Sequence, residues 1–190
     1  MNPTIPYTQI SDERIIGLRL LAKRAAAFVH ILRRVPVEQY IGWKNMIDST
    51  TGTRQSSFIR KVADHFPPTS DYKEEVDIVL FSYLERGRFD KWSDMISWGS
   101  EAKLQACNPR EVFAIGPYDR NLDLTIDQEG VGIYFPIEHL LYGCGRACVL
   151  WYHRSHSGEV MDRTVALCNR NVPGNSYVWF AFREPLLSVQ

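Results

Sequence analysis

The sequence predicts an α+β fold, with a helical N-terminal half (1–108) packed on a C-terminal antiparallel sheet (109–190) of about five strands. Three observations support this prediction. Apolar residues recur at helical spacing through much of 1–108. Short runs of β-branched and aromatic residues, separated by turn residues, follow Pro109. The chain has 190 residues, of which 45% are hydrophobic, so the two regions can form one integrated domain around a shared core.

Five helices are predicted in the first region. The first has Ser11 as its N-cap and carries Asp12 and Glu13 at its positive end. Its apolar residues keep helical spacing as far as Arg34, and Pro36 then ends the run. The other four helices are expected over 37–48, after a loop at 49–53, over 71–85 and over 89–106.

The second region is predicted to be mainly β. A polar turn at 127–130 separates two alternating runs, and a second polar turn at 155–162 separates two more, so two hairpins are expected. Pro136 and Gly143 suit the start and the end of one short helix. The predicted strands are 112–116, 121–126, 131–135, 147–154, 163–168 and 176–182.

The charges of the chain cancel. It has 22 Lys and Arg against 22 Asp and Glu, whereas a protein that binds nucleic-acid backbones in bulk needs a strongly positive surface. The N-terminus does not have the pattern of a signal peptide, and no apolar run approaches the length of a membrane span. Four cysteines are expected to be reduced thiols, and we therefore expect a cytoplasmic protein.

The stretch GCGRACVLWYHRSH (143–156) contains four residues that zinc commonly binds: Cys144, Cys148, His153 and His156. Their spacing does not suit a metal site, because only four residues separate Cys148 from His153, where a zinc finger has about a dozen. A strand over 147–154 would also place these two residues on opposite faces. The sequence therefore predicts neither a metal nor another cofactor here.

The same stretch offers a weak candidate for catalysis. A cysteine nucleophile needs a neighbouring base, and Cys144 or Cys148 would pair with His139 or His153. Such a protein would be a small hydrolase or transferase. The residues around the cysteines do not match a cysteine-protease signature, and inert buried thiols are far commoner. We therefore favour a structural role for them.

A basic surface is predicted on the first helix. With 14–34 drawn as one helix, five basic residues share a face without an acid among them: Arg19, Lys23, His30, Arg33 and Arg34. Such a face can contact phosphates or an anionic membrane. It can equally pack against the acidic helix predicted at 71–85, and this structural interpretation is the one we favour.

The predicted sheet offers a further surface. Residues 112–190 contain six arginines and no lysine, together with many large aromatic residues, which is the composition of protein interfaces. On the last strand Tyr177, Trp179 and Arg183 alternate with apolar residues. If helices leave that face open, it is a binding face. The residues predicted to bind are Trp151, Arg154, His156, Tyr177, Trp179 and Arg183.

The leading hypothesis for function is a non-enzymatic protein-binding module acting through this sheet face. An inhibitor, an adaptor, an immunity-type protein or an accessory protein encoded by a phage or virus would suit such a chain. The expected partner is another protein, with a homodimer as an alternative. The other hypotheses are a cysteine–histidine enzyme and a binder of nucleic acid or anionic membranes. Nucleic acids and anionic membranes are less favoured as partners than another protein.

Overall fold

The computed structural model describes residues 7, 9–38, 42, 45–46, 48, 54–55, 73–83, 92–126, 131–134, 146–154, 161–169 and 177–185. The fold is α+β. Its helices are α1 (Asp12–Arg24), α2 (Trp92–Glu101), α3 (Pro109–Tyr118) and α4 (Leu122–Thr125). Its strands are β1 (Ala27–Glu38), β2 (Arg54–Gln55), β3 (Lys73–Tyr83), β4 (Gln105–Ala106), β5 (Val131–Tyr134), β6 (Arg146–Arg154), β7 (Met161–Asn169) and β8 (Tyr177–Arg183).

All of these strands belong to one mixed sheet. The strand order is β1-β3-β8-β5-β6-β7-β2, and β4 pairs with β8 outside this path. The β5–β8 and β2–β7 pairs are parallel, and the other pairs are antiparallel. Because β1 and β3 come from the first part of the chain and β8 from its end, the two parts share one sheet.

Strand β8 lies between neighbours on both sides. Its residues 180–183 pair with β3 on one side. On the other side residues 177–180 pair with β5, and Phe182 and Arg183 pair with β4. The Cys107 amide, just beyond β4, also donates to the Ala181 carbonyl at 3.0 Å. Helix α3, which begins at Pro109, lies on one face of this sheet and approaches it most closely at β1 and β6.

The two faces of the β1–β3–β8 part of the sheet are both covered. On one face Ile78, Leu80 and Trp179 belong to a buried cluster with Val112 and Phe113 of α3. On the other face a second buried cluster joins the sheet to α1 and α2 through Leu18, Ala22, Val79, Phe81, Trp98, Phe180 and Phe182. Burying each large apolar side chain contributes about 1.5–3 kcal/mol, so both helical layers are held mainly by apolar contacts.

Helix α2 approaches the sheet closely because it has a glycine at the contact. A Cβ atom on Gly99 would lie 2.3 Å from the ring of Phe182, closer than any real contact. The neighbouring Trp98 ring stacks on Phe81 with centroids 3.8 Å apart. The helix predicted over 89–106 is thus present as the shorter α2, and its inner side is fixed by aromatic contacts with β3 and β8.

The prediction of a helical N-terminal half is wrong in two places. Helix α1 ends at Arg24, a turn containing Ala26 at φ 50° follows, and Ala27–Glu38 form β1 instead of continuing the helix. Of the segment predicted as a helix over 71–85, the described residues, Lys73–Tyr83, form strand β3. Its run Ile78–Phe81 is buried on both sides by the two helical layers, which is the environment of a central strand.

Two predicted strands are helical instead. Residues 112–116 lie within α3, where Asn108 and Glu111 form a capping box and Pro109 occupies the first turn. Residues 122–125, predicted as part of a hairpin, form α4. The remaining predicted strands are present as β5 to β8, and β6 and β7 pair antiparallel as a hairpin predicts.

Several predictions fall only partly on described residues. Of the helix predicted over 37–48, residues 37–38 complete β1, while Asn45, Met46 and Asp48 are helical. The third helix, after the loop at 49–53, and the short helix at 136–143 lie outside the described residues, apart from the short strand β2 at 54–55. In the described part of the chain, no helix is both long and apolar enough to cross a membrane.

Candidate functional site

Helix α1 lies on the sheet with a well-defined inner side. The Ser11 side chain caps its first turn by accepting from the Arg14 amide at 3.2 Å. Leu18 and Ala22 are buried against the sheet. Arg14 donates through Nε to Glu184 at 2.7 Å and also hydrogen-bonds the carbonyl of Ala102. These contacts fix the rotation of α1 about its axis, and therefore determine which side chains face outward.

Two large apolar side chains point outward from α1. Ile16 is 58% exposed and Leu20, one turn further along, is 56% exposed. Phe28 and Tyr118 are the other large apolar residues exposed in the described part of the chain, and they belong to β1 and α3. The Tyr118 hydroxyl donates to the Arg33 carbonyl at 2.6 Å. Ile16 and Leu20 are the two of these four that lie one turn apart on the same helix, so they form a small continuous apolar patch.

Charged residues surround this pair in a definite order. Asp12 and Glu13 are exposed at the start of α1, and Lys23 and Arg24 are exposed at its end. Hydrogen bonds from its own amide and from Ser11 lower the pKa of Glu13, so this carboxylate is ionised at neutral pH. We define the outer face of α1 as these residues with Arg19: Asp12, Glu13, Ile16, Arg19, Leu20, Lys23 and Arg24. Its apolar centre lies between an acidic end and a basic end.

A buried carboxylate anchors the segment before α1 and the bulge of β1. Asp77 of β3 accepts from the Tyr7 hydroxyl at 2.7 Å, the Ile10 amide at 2.9 Å, Arg33 Nη1 at 2.8 Å and the Arg34 amide at 2.9 Å. Burial would raise the pKa of Asp77, but these hydrogen bonds outweigh burial and lower it. Burial and the hydrogen bond to Asp77 raise the pKa of Tyr7 to about 12.

The basic surface predicted on the first helix is divided by the structure. Arg19 and Lys23 are on α1, whereas His30, Arg33 and Arg34 are on β1. Arg33 is paired with Asp77. Arg34 lies in the bulge of β1 at φ 52° and pairs with Glu75 at 2.7 Å. The prediction of five basic residues on one helical face is therefore wrong, because the helix ends before the last three.

Two residues predicted to bind a partner are in the interior. Trp179 is 2% exposed and Arg183 is 7% exposed. Arg183 Nη1 hydrogen-bonds Glu111 of α3 and lies 3.3 Å from Glu74 Oε1. The prediction of an open binding face is thus wrong for these two residues, because α3 covers that side of β8. A buried arginine between two carboxylates has a structural role here.

The other predicted binding residues are only partly described. Trp151 and Arg154 lie in β6 and Tyr177 lies at the start of β8, but the structure describes their backbone and not their side chains. His156 lies outside the described residues. A role for these four residues in binding stays a prediction.

The candidates for catalysis and metal binding are also largely outside the described residues. Cys144, His139 and His156 are not described, and the backbone of Cys148 and His153 lies in β6. The regular β6–β7 pairing confirms one uninterrupted strand at 146–154, with these two residues an odd number of positions apart. Within the described part, no group of three His, Cys, Asp or Glu side chains is arranged to hold a metal ion.

Cys107 is the cysteine whose side chain the structure describes. It is fully buried. Burial, together with the neighbouring Glu111, raises the pKa of its thiol well above the ordinary value. Since the thiolate is the nucleophilic form, both burial and the raised pKa disfavour reaction of this thiol in the folded protein. Burial also raises the pKa of Glu111, although Arg183 opposes that shift.

Comparison of the chain with protein-family models, with curated proteins and with solved structures finds no significant match. The candidate site is therefore defined by the geometry of this chain, and it is the outer face of α1. Ile16 and Leu20, which form its centre, were not among the residues predicted to bind. Six apolar residues lie in the segment IIGLRLLA (15–22), more than one side of a helix can bury, and this excess was the available signal.

Proposed function

We propose that this chain is a non-enzymatic protein-binding module, of the inhibitor or adaptor kind, that contacts its partner through the outer face of α1. The observation that carries the proposal is the exposure of Ile16 and Leu20 at 58% and 56%. Apolar side chains at the centre of a patch with charged residues at its rim are the anatomy of a protein interface. A cytoplasmic location belongs to the same proposal.

A protein partner suits this face better than a nucleic acid or an anionic membrane. Arg19, Lys23 and Arg24 would attract phosphates, but Asp12 and Glu13 are exposed on the same side of the helix. A uniformly negative surface would meet both ends of α1 and would be repelled at the acidic end. A protein can present opposite charges at the two ends, which is why we favour this class.

The proposal is tested by affinity retention with a matched pair of variants. Leu20→Glu places a charge at the centre of the outer face. Gln105→Glu adds the same charge at another exposed position, on β4. Each protein is immobilised and exposed to a cell extract, and the retained proteins are identified by mass spectrometry. We expect proteins that the wild type and Gln105→Glu retain and that Leu20→Glu loses.

Identical sets of retained proteins on all three would contradict the proposal. In a second experiment, the wild type and the two variants are each mixed with vesicles containing phosphatidylserine and applied to a heparin column. We expect no cosedimentation and no retention at physiological salt. Binding to either probe that Lys23→Ala and Arg24→Ala remove would instead favour a membrane or nucleic-acid partner.

A further inference from the structure

We infer that the outer face of α1 is occupied by the outer face of a second copy of this chain, with the two helices antiparallel and the two-fold axis near residue 18. The inference rests on the function proposed above and specifies the partner. A symmetric dimer places one patch against its own copy, so the patch must be complementary to itself. The outer face of α1 meets this requirement in both its apolar and its charged residues.

The apolar centre is self-complementary. Ile16 and Leu20 lie two positions before and two positions after residue 18. In an antiparallel pair centred there, Ile16 of one copy faces Leu20 of the second copy, and the symmetry repeats the contact. Both side chains, which are 58% and 56% exposed in the single chain, would then be removed from water together.

The charged ends are complementary in the same arrangement. Asp12 and Lys23 are eleven positions apart, close to three turns of about 3.6 residues, so they lie on the same side of α1. Glu13 and Arg24 have the same separation on the other side. Along the helix axis these residues lie about 7.5–9 Å from residue 18. Asp12 therefore meets Lys23 of the second copy, and Glu13 meets Arg24 of the second copy.

The order of charges determines the orientation. A parallel pair would place Asp12 beside Asp12 and Lys23 beside Lys23, and like charges in contact destabilise a helix pair. The acidic residues also remain accessible to a partner. Asp12 lies 3.5 Å from Arg33 Nη2, but its side chain is 91% exposed. Lys23 and Arg24 form no ion pair with the described residues.

The size of the face sets the expected strength of the dimer. A stable protein–protein complex buries about 800 Å² on each partner, and one face of a helix of 13 residues offers less. We therefore expect a rapid equilibrium that depends on protein concentration and on salt, because exposed ion pairs are screened.

The test uses two charge-reversed variants. Lys23→Glu with Arg24→Glu makes both ends of the outer face acidic, and Asp12→Lys with Glu13→Lys makes both ends basic. We expect the wild type to associate with increasing concentration in sedimentation velocity, and each variant alone to associate at least tenfold more weakly. An equimolar mixture of the two variants should form a heterodimer, because acidic ends then meet basic ends.

A milder pair of variants covers the case in which reversed charges at the helix ends disturb folding. Lys23→Ala with Arg24→Ala should weaken association several-fold. Lys103→Ala with Arg120→Ala, which removes two positive charges at exposed positions outside α1, is the control and should leave association unchanged. Circular dichroism verifies that all variants are folded.

Three results would overturn the inference: a wild type that stays monomeric at every concentration, a variant mixture that stays monomeric, or equal weakening by both alanine variants. These outcomes leave the proposed function intact, because retention of another protein that depends on Leu20 does not require a dimer. If the dimer forms but the retention of other proteins does not depend on Leu20, the dimer is supported and the proposed function is contradicted.

Discussion

The carboxylate of Asp77 in β3 and the guanidinium of Arg33 in β1 form a 2.8 Å ion pair across the first two strands of the sheet. The Asp77 side chain is 1% exposed and that of Arg33 is 31% exposed. This pair holds Arg33 beside the bulge of β1 and takes it away from any basic surface. On α1 Arg33 reaches only the first turn, where its Nη2 lies 3.5 Å from Asp12.

Asp77→Asn should destabilise the protein strongly. The amide nitrogen of the new side chain would face donors, including the amides of Ile10 and Arg34, and Arg33 would lose its counter-charge. We expect a loss of about 2–4 kcal/mol in the free energy of unfolding, measured with urea, because hydrogen bonds to charged groups contribute about 1.5–3 kcal/mol each. Glu75→Gln on the same strand is the control and should change little. Similar losses for both variants would contradict this account.

Arg183→Met should unfold much of the protein and not merely alter its surface. The substitution leaves Glu74 and Glu111 buried without their shared cation, and breaking a buried pair in this way costs about 3–5 kcal/mol. Arg120→Met, at an exposed position, should be nearly neutral. A fully stable Arg183→Met variant would contradict the role of Arg183 as the counter-charge of these two buried carboxylates.

The Cys107 thiol should be unreactive in the folded protein. The measurement uses a variant with Cys144, Cys148 and Cys168 changed to Ser, so that one thiol remains. Because burial raises the pKa of Cys107, a thiol reagent should label it in urea and not under native conditions. Rapid labelling of the folded variant, with a native circular dichroism spectrum, would contradict the burial of this residue.

His30 should make the protein less stable in mild acid. Burial lowers the pKa of its imidazole below the ordinary 6.5; Asp119 opposes the shift and Arg19 adds to it. Below pH 6.5 the unfolded chain therefore binds the proton first, and the free energy of unfolding falls as the pH decreases. His30→Gln removes this contribution, so its stability should fall less between about pH 7 and pH 5. If the free energy of unfolding changes equally with pH in the wild type and in the variant, His30 does not have a lowered pKa in the folded protein.

The sequence predicted the start of α1 correctly and its end incorrectly. Ser11, Asp12 and Glu13 form a local signal that tertiary contacts do not alter. The end, by contrast, lies at Ala25 and Ala26, where neither glycine nor proline marks the change to β1. The apolar residues beyond it satisfy a helical period and an alternating one equally well, and pairing with β3 decides between them.

The start of helix α3 is marked in the sequence by a local signal. Asn108, Pro109 and Glu111 are a complete helix-start pattern, and the apolar residues after them suggested a strand only because they are short and consecutive. Which side of α1 is exposed was not predictable. Its apolar residues exceed one face, and only contacts with distant residues such as Trp98 and Glu184 select the buried side.

The most direct test of the central claim, that α1 provides the contact surface, is a series of ¹⁵N–¹H NMR spectra of the wild type at increasing protein concentration. We expect progressive shifts of the amide signals of Ile16, Leu20 and Lys23, with those of β3 and α3 unchanged, and no such shifts in Leu20→Glu. Shifts centred on Trp151 and Tyr177 would place the contact on the sheet face instead. An absence of any shift across the series would contradict the dimer.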